Sequence, residues 1–160
     1  MTATRAELSG MMDVMLAAFD PIYGEAWNEQ QLLSALMIPG TRYAIIDASG
    51  VIGPPTAAVE TAGFYLTRQI CDEEELLLIA VAPEYRRIGL ASRLLRHLFS
   101  AATDRGTTRL FLEMRDDNPA RHFYDSFGFH QVGLRKAYYR GADGNLRNAL
   151  TLSASVGKTM

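Results

Sequence analysis

The chain has few of the residues that hold a protein together through disulfides or metal ions. Among its 160 residues there are one cysteine, Cys71, and three histidines, His97, His122 and His130. One cysteine cannot form an internal disulfide, which favours a reducing, cytoplasmic location over a secreted one. The spacing of these four residues matches no metal-ligand pattern, so we expect no metal.

Long apolar runs and a basic excess are also missing. The longest unbroken apolar run, residues 76–83, is far too short to cross a bilayer, and the N-terminal residues lack the apolar segment of a signal peptide. The net charge is -2 and the pI ≈ 5.9, whereas a general binder of phosphate backbones is basic. We therefore expect neither a membrane nor a nucleic acid as partner.

What the chain does have is the composition of one ordinary globular domain, 48% apolar and 21% charged. We expect this domain to span residues 1–152, followed by a disordered tail at 153–160. Hydrophobic periodicity predicts a mixed α/β fold with one crossover. The predicted helices lie at 11–19, 28–38, 90–105 and 118–127, and the strands at 42–47, 63–70, 76–81, 110–114, 129–139 and 146–152, with one short strand before residue 11.

Two neighbouring segments with opposite composition stand before the crossover. Asp72–Glu75 is a run of four acids, which predicts a solvated hairpin turn. Leu76–Val81 is uniformly apolar, which predicts a strand buried on both faces.

The segment that follows carries the most chemical information. A short loop with Arg86, Arg87 and Gly89 leads from this strand into a long helix. Backbone N–H groups at a helix N-terminus attract anions, and arginines add charge-assisted donors for phosphate. The spacing matches neither the phosphate loop GxxxxGK[ST] nor the dinucleotide fingerprint GxGxxG.

Two motifs resemble those of a known family. Arg86–Ala91 (RRIGLA) resembles the R/Q-x-x-G-x-G/A pyrophosphate loop of the GNAT N-acetyltransferases, and Phe123–Phe129 (FYDSFGF) resembles their [LF]-Y-x-x-x-G-F signature. The resemblance implies the GNAT fold, with a mixed, mostly antiparallel central sheet of six to seven strands flanked by about four helices. Within the family the chain is most similar to the RimI-like branch, the ribosomal-protein-alanine N-acetyltransferases.

The resemblance also implies an activity and a set of site residues. The acyl donor would be acetyl-CoA, and the acceptor the N-terminal amine of a small-subunit ribosomal protein. Glu113 matches the family's general base and Tyr124 its general acid. The residues that match acyl-donor contacts are Ile79, Ala80, Val81, Arg86, Arg87, Ile88, Gly89, Leu90, Ala91, Ser92 and Asn118, and those expected to contact the acceptor are Trp27, Tyr138 and Tyr139.

Elementary chemistry agrees with these roles. An α-amine has a pKa of about 7.7–8.0, so a base has one proton to remove as the amine attacks a thioester. The backbone N–H of Val81, where the strand is expected to separate from its neighbour, is a candidate donor to the developing oxyanion. The hydroxyl of Tyr124 could protonate the leaving thiolate, and no covalent enzyme intermediate is needed.

Several alternatives remain open. Glu113 could form an ordinary salt bridge with Arg115 or Arg109, Tyr124 could serve only core packing, and Trp27 could pack against the second helix.

Three departures from the family pattern keep other functions open. The spacing from Asn118 to Tyr124 is one residue short, Arg147-Asn148 stands where an acid is expected, and 53–59 resembles an insertion. The alternatives are acetylation of a small amine, such as a polyamine, an aminoglycoside or an amino acid, and a non-catalytic acyl-CoA-binding module.

Overall fold

A computed structural model describes residues 3–157. Its helices are α1 (Arg5–Ala18), α2 (Glu29–Leu36), α3 (Leu90–Asp104) and α4 (Arg121–Asp125). Its strands are β1 (Thr41–Asp47), β2 (Thr61–Ile70), β3 (Glu73–Val81), β4 (Arg109–Arg115), β5 (His130–Arg140) and β6 (Leu146–Ser155). Short 3₁₀ turns lie at Pro21–Tyr23 and Pro83–Tyr85.

The six strands form one sheet in the order β1-β2-β3-β4-β6-β5. Every neighbouring pair is antiparallel except β3 and β4, which α3 connects as the crossover. One apolar cluster packs α1 and α2 against one face, and a second packs α3 and α4 against the other. The expected mixed α/β architecture is therefore confirmed.

Side-chain caps define where the first two helices begin. Asn28 and Gln31 form a capping box at the start of α2, where the sequence predicts a helix from residue 28. A second box, between Thr4 and Glu7, starts α1 at Arg5. The short strand expected before residue 11 is therefore wrong, because these residues already form the first turns of α1.

The acidic run does not form a solvated turn. The turn occupies only residues 71–72, and Glu73 already begins β3. Glu74 is fully buried; its carboxylate accepts hydrogen bonds from Arg105 at 2.6 Å, Thr67 at 2.8 Å and Thr107 at 3.1 Å. These partners lie on other elements, so local composition could not reveal them.

Two further expectations need correction. The apolar strand is not buried on both faces, because Leu77 and Ile79 stay partly exposed where they line a cleft. The predicted tail begins too early: Ser155 pairs with Arg109 of β4, and Ala154 is buried in the core. Residues 158–160 lie outside the described part of the chain.

Candidate active site

A cleft opens where β3 and β4 separate. Their parallel pairing ends at Glu75 and Phe111. Beyond that point β3 stays with β2 as far as Val81, while β4 stays with β6 as far as Arg115. The space between them is a cleft of about 880 Å³. The strands β3 and β4 therefore separate well before Val81, the position at which the sequence predicted their separation.

The backbone of β3 presents unpaired groups to this cleft. The N–H of Ala82 donates to the carbonyl of Ala62 on β2 at 2.8 Å. Because groups alternate along an antiparallel ladder, the N–H groups of Ile79 and Val81 point the other way, towards the space that β4 has left. The N–H of Val81 therefore has the orientation expected of an oxyanion donor.

The side chain of Arg86, which was expected to contact the phosphates of an acyl donor, binds two backbone carbonyls of the protein. Its Nε donates to the carbonyl of Val81 at 3.1 Å, and its Nη2 donates to the carbonyl of Ala18 at 2.9 Å. The guanidinium therefore ties the end of β3 to the end of α1, and these two bonds leave less of it for a phosphate group.

The loop before α3 supplies backbone donors instead. Gly89 begins the helix with φ +85°, and Arg87 also has a positive φ, of 66°. The first amide bonded back into the turn is that of Arg93, which donates to Gly89 at 3.0 Å. Within the described chain, the amides of residues 87–92 have no backbone acceptor, and they stand at the positive end of the helix dipole.

The residues predicted to contact an acyl donor fall into two groups. Those that line the cleft are Ile79, Ala80, Val81, Arg86, Ala91 and Asn118. Those in the loop and first turn of α3, where backbone amides are the available groups, are Arg87, Ile88, Gly89, Leu90 and Ser92. The side chain of Leu90 is buried in the core, so only its backbone could meet a ligand.

Asn118 also lies just before the first residue of α4. Its side chain accepts the N–H of Ala120 at 2.9 Å, and the helix begins at Arg121. The helix expected from residue 118 therefore begins later, because this turn precedes it.

Tyr124 faces the cleft from α4 while its ring packs in the core. The residue is 8% exposed, and its ring meets Phe129 edge-on with 5.6 Å between centroids. Burial, and secondarily the charge of Glu25, raise the pKa of the phenol. No hydrogen bond joins its hydroxyl to any other residue between 3 and 157. The ring of Tyr124 therefore packs in the core, while its hydroxyl remains accessible from the cleft.

Glu113 lines the same cleft from β4. Its Oε2 is buried without a hydrogen-bond partner in the described structure. Arg135 approaches to 3.7 Å, but that arginine's side chain is 56% exposed, which makes the pair weak. The two arginines suspected as its partners are engaged elsewhere, Arg109 with Glu73 and Arg115 with Glu25, so that alternative is wrong.

An arch closes one side of the cleft. We use this name for the α1–α2 loop, residues 19–27, together with the β5–β6 turn, residues 141–147. The N–H of Ala142 donates to the carbonyl of Ile22 at 2.7 Å. The ring of Tyr23 lies 3.5 Å from the guanidinium carbon of Arg115 and 4.9 Å from that of Arg147.

Charged groups hold the arch together. Arg115, 6% exposed, donates to Glu25 at 3.0 Å and to Asp117 at 2.5 Å. Arg147 donates to Asp117 at 3.1 Å and to Asp143 at 2.9 Å, which helps to lower the pKa of Asp143 to about 2. Arg147, which stands where an acid is expected, therefore holds the arch together. This role could not be predicted from the sequence.

The three predicted acceptor contacts have different positions. Trp27 lies in the arch, lines the cleft and also packs on the cluster beneath α2. Tyr139 lines the cleft, and burial together with the charges of Glu113 and Glu25 raises its pKa to about 12. Tyr138 is 53% exposed and is not part of the cleft wall.

The described residues contain neither a candidate metal site nor a candidate membrane-spanning helix. No group of three or more His, Cys, Asp or Glu side chains in residues 3–157 is arranged to hold a metal ion. No helix in that range is long and apolar enough to span a bilayer.

The fold and this cleft agree with a match to one protein family. The model of the acetyltransferase (GNAT) family matches residues 12–129. The chain belongs to the GNAT acetyltransferase family.

Two curated proteins that match this chain carry the same name. The [ribosomal protein bS18]-alanine N-acetyltransferase of Haemophilus influenzae is 35% identical over 91 residues, 57% of this chain and 62% of that protein. The protein of the same name from Escherichia coli K12 is 42% identical over 84 residues, 52% and 57% of the two chains. Each sequence match thus spans less than two thirds of the curated relative.

A solved structure extends the likeness to the whole chain. The crystal structure of the ribosomal-protein-S18-alanine N-acetyltransferase from Escherichia coli matches with a TM-score of 0.80 at 25% identity. That match covers 100% of this chain and 94% of the other.

Proposed function

We propose that this chain is an acetyl-CoA-dependent Nα-acetyltransferase whose acceptor is the N-terminal amine of a protein, a ribosomal protein that begins with alanine. The observation that carries the proposal is that Glu113 and Tyr124 line one cleft, next to a loop of unbonded amides. The names of the similar proteins support this choice of acceptor.

The loop before α3 would hold the phosphates of the acyl donor. Its unbonded amides at residues 87–92 and the helix dipole suit a pyrophosphate, and Arg87 can add charge. The strands that separate beyond Glu75 leave room for the pantetheine arm, whose thioester supplies the activated acetyl group. The free backbone edge of β3, at Ile79 and Val81, suits the amides of that arm.

Glu113 would act as the base. Neither oxygen of its carboxylate has a hydrogen-bond partner in the described chain. Because Oε2 is buried, while the side chain is 22% exposed, Oε1 is the oxygen that would accept a proton from the amine directly or through a water. The arginine nearest to it is largely exposed and competes weakly. A partly buried carboxylate with a free oxygen in a cleft fits this role.

Val81 and Tyr124 would handle the charges that develop during transfer. The N–H of Val81 faces the cleft and can stabilise the carbonyl oxygen as it becomes negative. The raised pKa of Tyr124 keeps its hydroxyl protonated at neutral pH, as a donor to the leaving thiolate must be.

The arch supports a chain end as the acceptor. The hydrogen bond between residues 22 and 142 fixes the α1–α2 loop, whose residues 23–27 form one wall of the cleft, so this wall is held ready for an acceptor. An N-terminal segment that starts with a small residue would lie along this wall. Acetylation of a ribosomal protein would also place the enzyme in the cytoplasm.

The test is acetyl-CoA consumption with three acceptors: an alanine-starting peptide, its Nα-blocked twin that contains lysine, and spermidine. We expect turnover on the free alanine peptide alone, abolished or strongly reduced in Glu113→Gln. Turnover only on spermidine or the blocked peptide would contradict the proposed acceptor. Binding of acetyl-CoA without any transfer would indicate a non-catalytic acyl-CoA-binding module.

A further inference from the structure

A second carboxylate, that of Glu25, enters the cleft from the arch. The residue belongs to the α1–α2 loop and lines the cleft wall that faces the sheet. Its Oε2 accepts a hydrogen bond from Nε of Arg115 at 3.0 Å, and its side chain is 23% exposed. In the described chain its other oxygen, Oε1, has no hydrogen-bond partner and remains free for a ligand.

The position of this carboxylate is fixed by the arch. Arg115 is almost fully buried and stacks on Tyr23, two residues before Glu25. The bond between Ile22 and Ala142 fastens the same loop to the β5–β6 turn. A carboxylate held in this way loses little side-chain entropy when a ligand binds.

The charge of Glu25 reaches the reacting end of the cleft. It contributes to raising the pKa of both Tyr124 and Tyr139, and Glu113 contributes at Tyr139 as well. Tyr139 therefore lies within electrostatic range of two carboxylates that come from different walls. A cation placed near this hydroxyl would be attracted by both.

The positive charges of Arg115 and Arg147, which contact the arch, do not cancel the negative field of these carboxylates. Arg115 and Arg147 are surrounded by three carboxylates, those of Glu25, Asp117 and Asp143. The group therefore carries one more negative than positive charge.

We propose that Glu25 binds the acceptor amine as its ammonium ion, before Glu113 removes a proton from it. This inference rests on the proposed function and names a residue that selects the acceptor by charge. The free Oε1 accepts one N–H of the ammonium. Overall, the ammonium and the thioester give an amide, a thiol and one proton released to solvent. The amide is neutral, so Glu25 attracts the substrate and not the product.

The test compares Glu25→Gln with the wild type in two binding measurements. The first ligand is an alanine-starting peptide, and the second is the same peptide with its terminal amine replaced by a hydroxyl. Both are titrated by calorimetry into CoA-saturated protein. Glutamine keeps an acceptor for Arg115 and removes only the charge, so the arch should stay closed. Glu29→Gln is the matched control, since Glu29 is exposed in the first turn of α2 and does not line the cleft.

We expect the wild type and Glu29→Gln to bind the amine peptide about tenfold more tightly than the hydroxyl peptide. Glu25→Gln should bind the two equally. In turnover, Glu25→Gln should raise KM for the peptide by the same factor, with kcat within about twofold and an unchanged Kd for CoA.

Two outcomes would overturn the inference. One is that Glu25→Gln still distinguishes amine from hydroxyl as well as the wild type does. The other is that it loses kcat or CoA affinity while that discrimination persists, which would mean that Glu25 only supports the arch. Should the wild type acetylate none of the three acceptors, the proposed function fails, and the two calorimetric titrations still report separately on Glu25.

Discussion

Two glutamates on neighbouring strands show how similar residues acquire opposite roles. Glu74 on β3 is fully buried and accepts hydrogen bonds from Arg105, Thr67 and Thr107. Glu113 on β4 is partly buried, and its carboxylate has no hydrogen-bond partner in the described structure; only the exposed Arg135 approaches it, at 3.7 Å. The first carboxylate uses its charge to hold α3 to the sheet. The second keeps an oxygen available, so it can act on a substrate.

The difference follows from position in the sheet. Glu74 lies where β3 and β4 are still paired, beneath the end of α3, so neighbouring elements surround it. Glu113 lies beyond the point of separation, where the cleft replaces the neighbouring strand. A gap in the sheet thus creates an unsatisfied carboxylate, which an intact sheet would have paired or excluded.

Removal of the satisfied carboxylate should have the largest effect on stability. We expect Glu74→Ala to lower the free energy of unfolding by about 3 kcal/mol, because it leaves two buried threonines and Arg105, whose side chain is 19% exposed, without their acceptor. Denaturant unfolding measures this loss. Glu73→Ala is the control, since its pair with Arg109 is about 40% exposed and should cost less than about 1 kcal/mol. Equal losses at the two positions would refute the comparison.

Removal of the unsatisfied carboxylate should instead affect the reaction. Glu113→Gln should lower kcat/KM for the alanine peptide about a hundredfold, with the greatest loss at low pH, where the amine is protonated. Its midpoint of thermal unfolding should remain near that of the wild type. An unchanged pH profile would argue against a role as base.

Tyr124→Phe separates the acid role from core packing. The ring and its contacts with Phe129 are kept, so stability should change little. Loss of the hydroxyl should lower kcat about tenfold without changing the KM for acetyl-CoA. Tyr138→Phe, on the exposed strand β5, is the control and should turn over normally. Normal turnover in Tyr124→Phe would leave packing as the role of this residue.

The smallest effect is expected at Glu75, beside both glutamates. Burial, and then the charge of Glu113, raise its pKa, although Arg68 and Arg135 oppose the shift. The folded state therefore binds this proton more strongly than the unfolded chain does, so stability falls as pH rises through the raised pKa.

Glu75→Gln removes that cost. It should raise the midpoint of thermal unfolding by about a degree or two at pH 7, and by nothing below pH 4, where both states are protonated. A midpoint that falls at pH 7 would show that the two arginines dominate at this position.

Much of this could be predicted from local sequence. Three parts of the fold are formed by neighbouring residues, so their patterns can be read directly. They are the helix after Asn28, the strand, loop and helix around Gly89, and the last two strands. The resemblance of RRIGLA and FYDSFGF to GNAT motifs pointed to the family, which the family match now shows. The roles of Glu113 and Tyr124 stay predictions, although both face one cleft.

What could not be predicted involves partners far apart in the chain. Glu74 looked like part of a solvated turn because Arg105 and Thr107 approach it only after the crossover is formed. Arg86 looked like a phosphate ligand because the carbonyl of Ala18 is distant in sequence. Glu25 carried no local signal at all, since the arch that positions it joins residues more than a hundred positions apart.

From α1 onwards the sequence by itself determined the order of the helices and strands, because periodicity, caps and glycines act over a few residues. Only the tertiary structure decided which charged groups are satisfied and which remain free. Which groups remain free depends on how far β4 diverges from β3 and on which residues pack across the cleft between them. The same charge therefore holds the sheet together at Glu74 and faces an open cleft at Glu113 and Glu25.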